Sequence, residues 1–256
     1  MGSSSAFVEA LFGASLQTVW PAACAACDRP IPDEAVFCAA CELSLNPLVG
    51  VCPGCALPMP DRSVAMDRAA RCRICRRVPL PFVTATAGFE YGEALAEALV
   101  RMKHGGRRHL ARRLARLLVA PLAEALDRGA FRAGDAVVPV PLHPRKLRAR
   151  GFNQASELAR WALRGLGRVR RARPRLERHL LLRIRETREL GHAGPAVRLA
   201  EVAGAFGVRD PARLRGRRVL LLDDVYTTGA TFHECTRALL HAGAAAVHTL
   251  ALARAV

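Results

Sequence analysis

A chain of 256 residues, 51% hydrophobic, is long enough for one full core plus a small second module. Its formal net charge of +17 invites polyanionic partners, yet 37 of the 39 basic residues are Arg and only Lys103 and Lys146 are Lys, a skew that GC-rich codons can also produce. No apolar run reaches the roughly 18–20 residues needed to cross a bilayer, so a membrane-spanning helix is not expected.

Ala6 to Val19 is apolar at helical spacing and is expected to form a docking helix within residues 1–21. It lacks a basic leader, carries Glu9 and ends in Trp20-Pro21, which argues against a signal peptide. Ala22-Ala23-Cys24 looks like a lipoprotein cleavage site, but Pro21 stands where an aliphatic residue is wanted; the expected location is cytoplasmic. Residues 22–80 then hold eight of the nine cysteines as four CxxC pairs: Cys24/Cys27, Cys38/Cys41, Cys52/Cys55 and Cys72/Cys75. A CxxC turn aims two thiolates at one point, and two such turns complete a tetrahedral site, so eight ligands predict two structural Zn2+ ions. The segment is Pro- and Gly-rich with few large aliphatics, and metal binding would supply its folding energy. Sequential pairing gives two successive zinc ribbons; a cross-braced arrangement uses the same residues, and an iron–sulfur cluster is the minor alternative.

From 81 to 256 the pattern is that of an α/β domain. Val83 to Tyr91 reads as a strand and Gly92 to Met102 as an amphipathic helix with Leu95, Leu99 and Met102 on one face. Lys103 to Gly106 reads as a break, and Leu110 to Leu126 as one further helix. Ala136 to Val140 is a short buried strand that runs into Pro139-Val140-Pro141-Leu142-His143. The basic stretch Arg145 to Arg150 precedes a helix from about Asn153 to Leu166. It reads as a cradle for pyrophosphate, with Arg145 and Lys146 nearest, or as a solvated basic loop with Asn153 as an N-cap. Arg168 to Arg188 is dense in Arg and reads as a long basic lid. Leu199 to Phe206 leads into a last βα unit: strand 218–222, a phosphate loop, helix 229–242 and strand 247–252, which implies a parallel pair. Cys235 reads as a buried small hydrophobe.

Residues 219–231 are the most informative: VLLLDDVYTTGAT. Four apolar residues suit a strand covered on both faces, and Asp223 and Asp224 then fall at its carboxyl end, where open α/β sheets bind ligands. Thr227, Thr228, Gly229 and Thr231 supply hydroxyls and unhindered amides at a helix start, an anion site. Carboxylates for sugar hydroxyls and an amide cradle for phosphate stand about one sugar phosphate apart.

This stretch resembles the loop of type I phosphoribosyltransferases that binds 5-phosphoribosyl 1-pyrophosphate (PRPP). The whole order of the chain, with double CxxC pairs, VPVPLH, RARGFNQ and LLLDDVYTTGAT, resembles the ComF family of bacterial competence-related proteins. That resemblance implies a type I phosphoribosyltransferase-like parallel sheet flanked by helices, preceded by a small double zinc-ribbon module. It implies PRPP as ligand, with Mg2+. Asp223 and Asp224, the catalytic pair, would hold the ribose hydroxyls within a loop of Val225, Tyr226, Thr227, Thr228, Gly229, Ala230 and Thr231, with Thr227 to Thr231 on the 5′-phosphate. Pro139, Val140, Arg145, Lys146 and Arg150 would lie near the pyrophosphate, and Arg183, Arg185 and Thr187 would belong to the lid. Leu190 stands where the family lid carries Gln, and Glu201 where it carries Asn, which puts acceptor choice or transfer itself in doubt. Three functions are implied: phosphoribosyl transfer to a nitrogenous acceptor, handling of single-stranded DNA in natural transformation beside other DNA-uptake proteins, or PRPP sensing without turnover. The Arg101–Arg116, Arg145–Arg150 and Arg164–Arg188 clusters would serve the DNA reading through backbone charge.

Overall fold

The computed structural model describes residues 22–59, 71–104, 106–167, 174–188 and 194–256. The expected docking helix in 1–21, Leu190 and residues 168–173 of the basic segment lie outside them. The cysteine-rich part has little regular structure: an antiparallel pair, β1 (Ala22–Ala23) and β2 (Pro30–Ile31), and two short helices, α1 (Ala39–Glu42) and α2 (Arg73–Arg77).

The remainder is built on five strands: β3 (Ala85–Glu90), β4 (Ala136–Pro139), β5 (Arg175–Leu176), β8 (Arg218–Tyr226) and β9 (Ala246–Arg254). They form one all-parallel sheet in the order β3-β9-β8-β4-β5. β8 and β9 sit inside the sheet, and Val219 to Leu222 are wholly buried, as the continuous apolar run required. Alternation along β8 divides them: Leu220 and Leu222 join one core, Val219 and Leu221 the other. The first core is closed by α3 (Glu93–His104), α4 (Leu110–Leu117), α5 (Val119–Arg128) and α7 (Gln154–Leu166). The second is closed by α9 (Ala230–His241), α8 (Pro195–Val202) and an antiparallel pair, β6 (Leu181–Arg183) with β7 (Phe206–Val208).

Several expectations need correction. The helix read over Leu110 to Leu126 is two helices meeting at Leu118. Pro121 explains the division: its ring clashes with the carbonyl four residues back, at Leu117, where α4 ends. α3 runs on through His104, so Lys103 is helical and not part of a break. Arg145 to Arg150 is not a loop but a helix, α6 (Pro144–Arg150). His143 caps it by accepting from the Arg145 amide, Pro144 presets its first turn, and Gly151 ends it at φ +78°. The basic lid is not one loop either, since β5 and β6 both lie within it. Finally, β8 does not stop at Leu222. Asp223 pairs with Ala251, Val225 with Ala253 and Tyr226 with Arg254, so the ladder carries both aspartates inside the strand.

The cysteine-rich part docks on this sheet in two ways. Ala25, Ala26, Ile31 and Phe37 enter the first core beside α3 and α4. Around them, Arg101 and Arg107 donate to Asp28 at 2.6 and 2.7 Å, Arg113 donates to the carbonyls of Ala23, Ala35 and Val36, and Arg116 donates to Glu34 O at 2.6 Å. Much of the Arg101–Arg116 cluster therefore holds the protein to itself. Further on, the chain lies antiparallel along edge strand β3: Leu48 N donates to Gly88 O at 2.9 Å and Glu90 N to Asn46 O at 2.9 Å. That pairing covers an edge that would otherwise expose unpaired backbone groups.

Candidate functional site

The four CxxC pairs gather into two groups, Cys24, Cys27, Cys38, Cys41 and Cys52, Cys55, Cys72, Cys75. This is the sequential pairing, not the cross-braced one. Within each group all four sulfurs lie within 4.8 Å of one another. Sulfur–sulfur approaches of 3.6 Å, for Cys27–Cys38 and for Cys55–Cys72, match the edge of about 3.8 Å that a tetrahedron with Zn–S of about 2.3 Å requires. The Cys72 amide donates to Cys52 Sγ at 3.2 Å. The Cys52 thiol is drawn down to about 4, first by the hydrogen bond from Cys55, against burial, and then by the amides of Cys72, Gly54 and Cys55. Four thiolate donors with no open position suit a structural zinc ion at each centre.

The carboxyl end of β8 holds the second cluster. Asp224 is 3% exposed and forms an ion pair with Lys103 from the last turn of α3. Gln154, at the start of α7, donates to Asp224 Oδ1 at 3.4 Å and accepts from Arg150 at 2.7 Å. The neighbouring Asp223 accepts the Asp224 amide at 2.9 Å. Burial, and then the adjacent Asp224 charge, push the Asp223 carboxyl well above its ordinary range. Burial opposes ionisation of Asp224 as well, but the Lys103 ammonium outweighs it and holds that carboxyl below its ordinary range. The two carboxyls are thus pushed in opposite directions, Asp223 up and Asp224 down, with Lys103 compensating the Asp224 charge.

Beyond Tyr226 the backbone turns at Thr227–Gly229 into α9. Gly229 is at φ +86°, and a Cβ there would come within 2.8 Å of the Tyr226 ring, so only glycine fits the corner. Tyr226 is buried and meets Phe232 edge-on at 5.1 Å and Phe82 at 6.5 Å, which props the turn from below. A pocket of about 270 Å³ opens above it, lined by Thr227, Thr228 and Thr231 on one side and by Arg183, Arg188 and Arg198 on the other. Arg198 Nη1 donates to Thr227 Oγ1 at 3.4 Å. Hydroxyls, a helix start and arginines facing one space are the donors an anion needs.

The remaining residues singled out from the sequence divide. Arg183 lines the pocket and donates to the buried Thr187. Arg185 instead ties its segment to the end of α8, donating to Glu201 O and Ala203 O at 2.7 and 2.9 Å. Glu201, the residue that departs from the family pattern, accepts the Arg188 amide at 2.8 Å and also lines the pocket. Pro139 is the last residue of β4; Val140 N donates to Leu222 O at 2.8 Å, which places this turn beside β8. Arg150 reaches the aspartates through Gln154, whereas Arg145 points to Glu186 at 3.3 Å. A larger cavity of about 570 Å³ adjoins, with walls that include Leu142, His143, Phe152, Arg178 and Leu181, and it shares Arg183 with the smaller pocket. Motif and spacing do not single out Lys103, Gln154 or Arg198 as site residues. For Lys103 a signal exists: it is one of two lysines in a chain that otherwise uses arginine.

Two outcomes are expected. Metal analysis should return about two zinc ions per chain, and about one in Cys27→Ser or in Cys72→Ser. Lys103→Met should cost about 3 kcal/mol at neutral pH by denaturant unfolding, because it leaves Asp224 buried without its cation. With Lys103 gone, burial alone raises the folded-state pKa of Asp224 above the unfolded value. Its neutral form is then the stable one, so the penalty should shrink as pH falls through about 4, whereas the wild-type pair loses stability there.

No protein-family profile matches the chain. Individual proteins do. It is 28% identical over 235 residues to the DNA utilization protein YhgH of Salmonella typhimurium, covering 91% of this chain and 97% of that one. It is 28% identical over 219 residues to competence protein ComFC of Bacillus subtilis, covering 84% and 82%. It is 30% identical over 166 residues to competence protein F of Haemophilus influenzae, covering 64% and 70%. With two four-cysteine centres ahead of a five-stranded parallel sheet whose strand β8 carries Asp223-Asp224 into a Thr/Gly turn, the chain belongs to the ComF family.

Proposed function

We propose that this protein binds PRPP at the end of β8 and acts in DNA uptake, on or beside single-stranded DNA. The observation that carries the first half is the placement of Asp223 and Asp224 one turn from a threonine-lined, arginine-faced pocket of about 270 Å³, which has room for a phosphate group. In this reading Asp223 and Asp224 receive the ribose hydroxyls and Thr227 to Thr231 the 5′-phosphate. Arg150 and the Pro139–Val140 turn stand toward the pyrophosphate; Arg145 and Lys146 extend the same helix, and Arg183, Arg185 and Thr187 shape the lid. Among the described residues the only clusters of three or more metal-ligating side chains are the two cysteine centres. Mg2+ would thus be held chiefly by the ligand's own phosphates, neutralising them when bound. The chain's residues position the sugar and shield it from water; no covalent nucleophile is required of them. We further propose residues 22–80 as a zinc-built unit and 81–256 as the PRPP-binding unit, in a protein working in the cytoplasm. No helix among the described residues is long and apolar enough to cross a membrane.

The names of the relatives support the DNA half, and one surface feature suits it. Trp161 on α7 has the guanidinium carbons of Arg112, Arg160 and Arg164 at 5.3, 5.1 and 4.7 Å from its ring centre. Arg112 and Arg164 are exposed. Cations clustered on an aromatic face attract a phosphate backbone and accept stacked bases.

Calorimetry with PRPP and Mg2+ separates the readings. Wild type should release heat and the Asp223→Asn/Asp224→Asn double variant should not; equal heats would remove the site assignment. Binding with turnover on a nitrogenous acceptor makes the protein a phosphoribosyltransferase, and binding without turnover makes it a sensor. For the DNA half, anisotropy with a deoxythymidine oligonucleotide across a salt series should give a log–log slope that falls by about 2 in Arg112→Gln/Arg160→Gln/Arg164→Gln, roughly 0.7 for each phosphate that no longer meets a cation. An unchanged slope would place the strand elsewhere.

A further inference from the structure

We infer that Arg254 mechanically couples the second cysteine centre to the phosphate loop, so that metal occupancy at Cys52, Cys55, Cys72 and Cys75 sets the order of Thr227–Gly229. The inference rests on the loop's reading as a phosphate site only for its functional consequence.

Arg254 is the last residue of β9 and lies in register with Tyr226, the last residue of β8. The strands end there with one last backbone bond, Ala255 N to Tyr226 O at 2.9 Å, and Thr227 O beyond it needs a donor from elsewhere. Arg254 supplies it. Its Nη1 donates to Tyr226 O at 3.0 Å and to the carbonyls of Thr227 and Ala255. Its Nε donates to Cys55 O at 3.1 Å, and its guanidinium carbon sits 4.1 Å from the centre of the Tyr226 ring. The residue is only 6% exposed, so each N–H must find a protein acceptor. One buried guanidinium thus bridges a metal-ligand residue and the two residues that open the phosphate turn.

The cysteine side of this bridge depends on metal. Cys52 and Cys55 belong to a tight turn, with Cys52 N donating to Leu57 O and Ala56 N to Cys52 O, both at 2.8 Å, and Ala56 at φ +56°. The buried residues of the small cluster packed there are Cys52, Cys55 and Cys75 themselves. Without the ion, the four thiols of this group have only the partly buried Leu57, Met59 and Leu80 packed about them. Cys55 O would then leave its place, and the guanidinium would have to move toward another acceptor, because an unpaired buried cation is costly. Thr227 O loses its donor in that movement, and Tyr226 O keeps only the Ala255 amide at 2.9 Å. Among the described residues the first cysteine centre has no such path. Its docking arginines, Arg101, Arg107, Arg113 and Arg116, stand on α3, on α4 and between them, and donate to residues 23–36 and to Glu97.

Amide hydrogen exchange tests the coupling without any ligand. The amides of residues 226–231 are followed in wild type, Cys72→Ser, Cys27→Ser and Arg254→Lys, with the amides of 219–222 in the same strand as the reference for global folding and zinc content measured for each. Cys72 is chosen because it removes a ligand while leaving Cys55, whose carbonyl meets Arg254, unsubstituted. The loop should exchange about ten-fold faster in Cys72→Ser, with one zinc lost, and in Arg254→Lys, with both zincs kept, the change expected on losing one charge-assisted hydrogen bond. Cys27→Ser should lose a zinc and leave the loop at wild-type rate. A loop unchanged in Arg254→Lys, or unchanged in zinc-depleted Cys72→Ser, overturns the proposal. If Cys72→Ser also exposes the 219–222 reference, Arg254→Lys alone decides. A parallel calorimetric titration with PRPP should show about ten-fold weaker binding in both loosened variants. No heat in wild type, with loosening intact, discards the phosphate reading and leaves the coupling standing.

Discussion

Two carboxylates side by side at the end of a buried strand cannot both stay charged without help, and the architecture around them is arranged by that constraint. Lys103 reaches Asp224 from α3, and Gln154 reaches it from α7, so two of the four helices flanking this face of the sheet converge on one acid. The Asp223 carboxyl is pushed well above its ordinary range by burial and by its charged neighbour. The result is a compact hydrogen-bonding surface with carboxyl oxygens in fixed positions. Such a surface recognises hydroxyl groups better than it recognises a free cation, while the arginines and threonines a few ångströms on are suited to the opposite task of holding an anion.

The same economy runs through the basic side chains. A charge of +17 in a chain with little aromatic content reads at first as a polyanion-binding surface. In the fold, four arginines of the Arg101–Arg116 group hold the first cysteine centre, mostly through backbone carbonyls that a ribbon without a core leaves unpaired. Arg108 and Arg178 both donate to the buried Glu157, at 2.9 and 2.8 Å. Arginine is suited to this work because its rigid fork satisfies two acceptors at once and it tolerates partial burial of its stem. Part of the charge left outward gathers about Trp161 and the pocket above Thr227.

Periodicity and chemistry make much of the molecule legible. The eight cysteines announce two metal centres because a thiolate pair at CxxC spacing has few other uses in such density. Val219 to Leu222 announce a doubly covered strand, and Asn153 announces a helix start, where its side chain does accept the Ser156 amide at 3.0 Å. Sequence and structure part where a local rule meets a competing one. Charge density makes Arg145 to Arg150 look like a loop, although Pro144 and Gly151 bracket a good helix. Pro121 hides inside an otherwise helical pattern. The first charged residue looks like the end of β8, whereas the backbone ladder with β9 continues regardless of side-chain polarity.

The amino-acid order by itself determined the two kinds of side-chain cluster present, thiol groups at metal-ligand spacing and a carboxylate pair leading into a Thr/Gly turn, because each is written within a few consecutive residues. It could not determine which thiols share a centre, which cation answers Asp224, or that Arg254 joins Cys55 to Tyr226. The last of these is decided by partners 28 to 199 residues apart, brought together by strand order and by the docking of the ribbon on a sheet edge. Hydrogen bonds and ion pairs act over a few ångströms, so only the folded chain sets which of the many available donors arrives.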